Sequence, residues 1–250
     1  MSPRKVRYGM RFVFEALLLL IIAFCAWNGY KKGLVMCIGT ILAIIISLYV
    51  GDLLGDTFSS AVQPVLRPFV SGYMDGTEGI ITENANELLG TANAGLSVDE
   101  ALAVNPEIRH DLCVKSYERI GIYSSVAEKM AEEAIALSEE NGESLSKSIV
   151  DAMCHNISYC LIFILFFLLS VIIITVIGNL FNLSFTIPGK DKLNRIGGAI
   201  AGAVTGILIS MTITWVLKFC GAALPEEEMR RTLLTALFLK INLLSAVLTI

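Results

Sequence analysis

The sequence predicts an all-α integral membrane protein: four transmembrane helices in two hairpins, with an acidic helical loop region between the second and third helices. Three observations carry this. Hydrophobic residues make up 55% of the 250-residue chain and charged residues 17%, with a mean hydropathy of +0.70; a soluble domain averages about 45–50% and about 25%. Four apolar runs approach or reach the roughly 20 residues that cross a bilayer. Residues 51–156 hold eighteen acids against six bases, a balance of −12, whereas the whole chain carries only −4.

Taken in order, residues 1–11 carry Arg4, Lys5, Arg7 and Arg11 and no acid. The apolar run from Phe12 to Tyr30 follows. A signal peptide would begin similarly, but Ala23-Phe24-Cys25-Ala26 lacks small residues at both cleavage positions, and the run outlasts a typical signal core. It reads as an uncleaved first span, with Trp27 and Tyr30 suited to an interfacial belt. Glu15 lies one turn after Arg11 and reads as a satisfied interfacial acid rather than a proton relay.

Lys31-Lys32-Gly33 forms a tight basic turn, and a second helix runs from Gly33 to about Val50. Gly39, Ala43 and Ser47 repeat a small residue at every fourth position, and Gly29 to Gly33 adds a further step. Asp52 and Asp56 mark the exit. Residues 58–70 are apolar but contain Pro64 and Pro68, so they are expected to lie on or dip into the interface. Ser97-Val-Asp-Glu100 fits a capping box. Asn105-Pro106 ends or restarts that helix, and Ile108 to about Leu137 reads as one or two amphipathic helices.

The run from Ile157 to Leu180 has no charge and is the third span. Pro188-Gly189 makes a turn containing Lys190, Lys192 and Arg195, and the fourth span runs from Ile196 to about Phe219. Within it Gly198, Gly202, Gly206 and Ser210 fall every fourth position, on one helix face. Such a stripe lets a neighbouring membrane helix approach to backbone contact. Packing on the second helix is expected ahead of an oligomer face. Pro225 opens a last segment, and 233–250 reads as an interfacial helix ahead of a marginal fifth span. Four segments result: 1–54, tail and first hairpin; 55–144, acidic extramembrane region; 145–220, second hairpin; 221–250, C-terminal interfacial helix.

Candidate packing residues are therefore Gly33, Gly39, Gly198, Gly202, Gly206 and Ser210; candidate turn residues are Lys31, Lys32, Pro188, Gly189, Asn194 and Arg195. No HExxH, GxSxG or phosphate-loop motif occurs, so no catalytic residue, metal or cofactor is expected. The six cysteines include no CxxC pair. They read as buried thiols, with a Cys113–Cys154 bridge open if their region faces an oxidising compartment. The bilayer is the partner that composition dictates. A homo-oligomer or other envelope proteins are further candidates, and no basic domain suits nucleic acid.

Two stretches, Gly29-Tyr-Lys-Lys-Gly-Leu-Val35 and Ile187 to Gly206, make the chain resemble the colicin V production protein family. The resemblance covers about residues 12–54 and 145–220. The long acidic insertion and the basic N-terminal tail depart from the family pattern. The resemblance implies a non-enzymatic protein of the bacterial inner membrane, associated with toxin production or export and with envelope or biofilm phenotypes. Cation counting alone gives conflicting orientations: the two turns argue for one, and the N-terminal cations with Arg230 and Arg231 for the other. The resemblance implies both basic turns inside and residues 51–156 outside. A different class, an oligomeric small-solute channel or transport component, stays open on the glycine-rich helices and the proline-broken segment 58–70.

Overall fold

The computed structural model describes residues 3–74, 79–90, 97–180, 191–219 and 224–241. Every regular element among them is helical: α1 (Pro3–Lys32), α2 (Leu34–Met74), α3 (Ile80–Leu89), α4 (Val98–Val104), a 3-10 turn (Pro106–Ile108), α5 (Arg109–Arg119), α6 (Ser124–Asn141), α7 (Leu145–Leu180), α8 (Asp191–Leu217), α9 (Glu226–Met229) and α10 (Leu233–Lys240). Among the described residues four stretches are long and apolar enough to cross a membrane: Met10–Lys32, Leu34–Met74, Leu145–Gly178 and Asp191–Leu217.

Several boundaries differ from the sequence expectation. α2 does not end near Val50 but runs 41 residues, through Pro64 and Pro68. Each proline inside a helix costs about 3 kcal/mol; burial of Val70 and Met74 beyond them offsets part of that cost. At about 60 Å, α2 is twice as long as the hydrocarbon layer is thick. α7 begins at Leu145 rather than Ile157, because Ser144 starts it: the Lys147 N–H donates to Ser144 Oγ at 3.3 Å. α8 begins at Asp191, so Lys192, Asn194 and Arg195 stand on its first turns rather than in a loop. Pro188, Gly189 and Lys190 lie outside the described residues, as do 242–250. The Ser97–Glu100 capping box is present, and the chain breaks at Asn105 as its proline neighbour requires.

The chain divides into two compact units. One comprises residues 1–55, 162–217 and 227–250; the other comprises 56–161 and 218–226. In the first, α1 and α8 pack along their lengths. The Phe163 ring sits 5.0 Å from Trp215, and a β-carbon on Gly51 would lie 3.2 Å from the Phe163 ring. Glu15 ties in α10: its carboxylate accepts the Leu234 N–H at 2.7 Å, with Thr235 N–H and hydroxyl at 3.5 and 3.3 Å. The two N–H groups are orphan donors of a helix start. Arg11, four residues away, pairs with Glu228 at 3.3 Å.

In the second unit Leu112, Tyr117, Ala127, Met130 and Ile149 form the core. The Tyr117 hydroxyl donates to the Ile149 carbonyl at 2.9 Å. Arg119 bridges α5 to α3, reaching Glu83 at 2.7 Å and Asn84 Oδ1 at 2.8 Å. Tyr123 donates its hydroxyl to the Leu224 carbonyl and its N–H to the Lys218 carbonyl, holding both to this unit. Cys113 and Cys154 are both buried thiols, not bridged. Burial pushes the Cys113 thiol up to about 12.

Candidate functional site

α1 and α8 form an antiparallel seam. As the residue number falls by about four on α1 it rises by four on α8, pairing Gly33 with Asn194, Gly29 with Gly198, Cys25 with Gly202 and Ile22 with Gly206. A β-carbon on Gly198 would collide with the Gly29 carbonyl, and one on Gly29 with that of Gly198. On Gly202 it would strike the Cys25 carbonyl, and on Gly206 it would lie 2.7 Å from the Ile22 Cα. Each glycine costs its helix roughly 1 kcal/mol against alanine. Close backbone approach, with its dispersion and Cα–H···O contacts, offsets that cost.

The stripe therefore packs on the first helix, not the second. Period alone shows that a face is small; it does not show which distant helix fills it. Gly39 has open space where a β-carbon would go, so it is not a packing glycine. Ser210 is fully buried, and its hydroxyl has no hydrogen-bond partner among the described residues.

At the end of the seam sits Asn194, 8% exposed. Its Oδ1 accepts the N–H of Leu34 at 2.9 Å. Leu34 opens α2, so its N–H has no partner within its own helix. Asn194 thus caps α2 from across the seam. Gly33 turns the chain between α1 and α2 with φ +87°, a conformation glycine adopts without strain. A β-carbon there would also press on Asn194 Nδ2 at 2.6 Å. Around this clasp Lys31 lies 5.1 Å from the Trp27 ring and Arg195 5.9 Å from the Tyr30 ring. Trp27 and Tyr30 stack at 6.3 Å. The basic residues at the end of α1, Lys31 and Lys32, and at the start of α8, Lys192 and Arg195, are thereby gathered at one end of the helix pair.

A second constellation lies in the other unit, on residues that the sequence reading had not singled out as a site. Gln63 and Arg67 are four apart on α2; Asp151 and His155 are four apart on α7. Gln63 Nε2 and His155 Nδ1 are 2.9 Å apart, and Arg67 Nη2 meets the two Asp151 oxygens at 2.9 and 3.1 Å. The opposite order of the two pairs marks antiparallel helices. Beside them is a pocket of about 400 Å³ lined by Gln63, Pro64, Arg67, Pro68, Ser71, Asp151 and Cys154. Asn156, next along α7, donates to Glu133 at 2.7 Å. Burial holds the Glu133 carboxyl above its ordinary range, although the Asn156 amide and nearby His155 pull it down. Matching four-residue polar pairs, Gln63 with Arg67 and Asp151 with His155, were the signal available in the sequence.

Among the described residues, no three His, Cys, Asp or Glu side chains cluster closely enough to hold a metal ion. Residues 123–242 match the family model described as colicin V production protein. Just under half of the chain is thus similar to that family. Comparison with curated proteins and with solved structures found no match. The matched stretch takes in α6 to α10, and so Asp151, His155, Asn194, Arg195 and the glycines of α8. Their partners Gln63, Arg67, Gly29 and Gly33 come from outside the matched stretch, so both constellations join it to residues nearer the N-terminus.

Proposed function

We propose that this multi-pass membrane protein is a non-enzymatic accessory component of the bacterial cytoplasmic (inner) membrane, associated with toxin production or export and with envelope or biofilm phenotypes. The family match supports this reading. In it the four spans form two hairpins in sequence order, the basic ends of α1 and α8 face the cytoplasm, and residues 51–156 are extracytoplasmic. The single observation behind the orientation is the Asn194 clasp on Leu34. It brings Lys31, Lys32, Lys192 and Arg195 to one end of the α1–α8 pair, and clustered cations favour the cytoplasmic side. The bilayer is the immediate partner, and a second copy or other envelope proteins complete the assembly. The test is complementation of a strain lacking the protein. Toxin release and biofilm mass return with the native chain, and fail to return with a Gly198→Leu variant that no longer closes the seam. Full rescue by a Gly198→Leu chain with an open seam sinks the reading.

A second reading, an oligomeric small-solute channel or transport component, draws on one observation. The pocket of about 400 Å³ opens beside Pro64 and Pro68, in a helix long enough to reach past the hydrocarbon layer. Solute flux into vesicles containing the pure protein, against empty vesicles, decides between the two.

A further inference from the structure

We propose that the pocket beside Arg67 and Asp151 binds a small zwitterion, a molecule of amino-acid size with a carboxylate and an ammonium a few bonds apart. This goes beyond the assembly role and does not depend on it.

The pocket is neutral overall but strongly polarised. Its lining holds one fixed cation, Arg67, and one fixed anion, Asp151, on facing helices. A simple anion entering it meets Asp151; a simple cation meets Arg67. Only a ligand with both charges gains from both side chains of this contact pair. Arg67 has donors to spare, because one guanidinium nitrogen, Nη2, serves both Asp151 oxygens. A carboxylate can take the remaining N–H groups in the side-by-side geometry that guanidinium favours.

Two prolines line the pocket beside the pair. Lacking an N–H, Pro64 and Pro68 release the carbonyls of Ser60 and Pro64 from the helix ladder. Pro64 lines the pocket. The Asp151 carboxylate is the acceptor an ammonium needs. The Gln63 amide is held by His155 Nδ1 at 2.9 Å, which fixes one wall, and Ser71 adds a hydroxyl. The proline rings and the Cys154 side chain supply apolar surface.

The ion pair itself does not account for the arrangement. Its side chains keep 46% and 29% of their exposure, and a pair this open contributes only about 0–1 kcal/mol to stability. The volume, about 400 Å³, lies within the ordinary range for small-molecule sites of roughly 300–1,000 Å³.

The experiment is calorimetric titration of the full chain in detergent micelles with the standard amino acids and glycine betaine, against acetate and methylammonium. At least one zwitterion binds saturably with a dissociation constant below about 1 mM, while acetate and methylammonium do not. Arg67→Gln and Asp151→Asn each weaken that binding at least about tenfold, a step of 1.4 kcal/mol. Ser71→Leu fills the pocket, leaves the Arg67–Asp151 pair intact and abolishes binding with an unchanged melting temperature, which separates lost binding from lost folding. The proposal is overturned if no zwitterion binds below that threshold. It is equally overturned if acetate or methylammonium binds as well, or if the Ser71→Leu protein binds undiminished.

Discussion

Gly29 and Gly198 meet backbone to backbone, each where a β-carbon on it would collide with the other's carbonyl oxygen. The contact holds the first and last of the four spans together, and it sets a sharp contrast with Gly39. Gly198→Ala should therefore destabilise the protein by about 1–3 kcal/mol, the usual cost of overpacking. Gly39→Ala meets open space and should be neutral or stabilising by up to about 1 kcal/mol. Thermal unfolding of both variants in the same detergent checks the pair. Equal melting temperatures would remove the seam as a determinant of stability.

Asn194→Ala takes the acceptor from the Leu34 N–H. By analogy with a lost helix cap, the cost should be about 0.5–2 kcal/mol. Asn194→Asp keeps an acceptor oxygen and should retain more stability than the alanine variant. Chemical denaturation of the three proteins ranks them. If alanine and aspartate prove indistinguishable, the hydrogen bond is not what Asn194 contributes.

The Glu133 carboxyl is held above its ordinary range by burial. The folded state therefore binds its proton more tightly than the unfolded state does. Between the ordinary carboxylate range and the raised folded value, stability falls as pH rises. Glu133→Gln cannot ionise and keeps an acceptor for the Asn156 amide. The variant should gain stability relative to the native chain as pH moves from acid to neutral. Melting temperatures of the two proteins across that window should diverge; parallel curves would contradict the assignment.

Glu15 caps α10 through Leu234 and Thr235. Glu15→Ala should loosen that helix and speed tryptic cleavage at Arg230 and Arg231, whereas Glu15→Gln keeps one acceptor and should behave closer to the native chain. A proton-relay residue would give the reverse emphasis: unchanged proteolysis and lost activity in both variants.

The sequence made the membrane helices, the Ser97 capping box and the small-residue face of α8 readable, because each is written in a local period or a short motif. The partner of that face was not readable. Gly29 lies far from Gly198 in sequence, and many helices share a four-residue repeat. The extension of α2 past Pro64 and Pro68 was hidden because local preference opposes it and packing decides it. The early start of α7 was hidden by Lys147, Asp151 and His155, polar residues that serve contacts within the acidic region. The polar pocket follows from both extensions, so it too stayed out of sight.

The orientation of the acidic region and the basic helix ends is tested most directly by impermeant maleimide labelling in intact cells. Cys113 is a poor reporter, being fully buried. Single cysteines at Glu140 and Lys192, both exposed positions, serve better in a background with the native cysteines replaced. Glu140→Cys should label in cells whose inner membrane is intact, and Lys192→Cys only after that membrane is opened. Labelling of Lys192→Cys in intact cells, with Glu140→Cys protected until permeabilisation, would contradict the account.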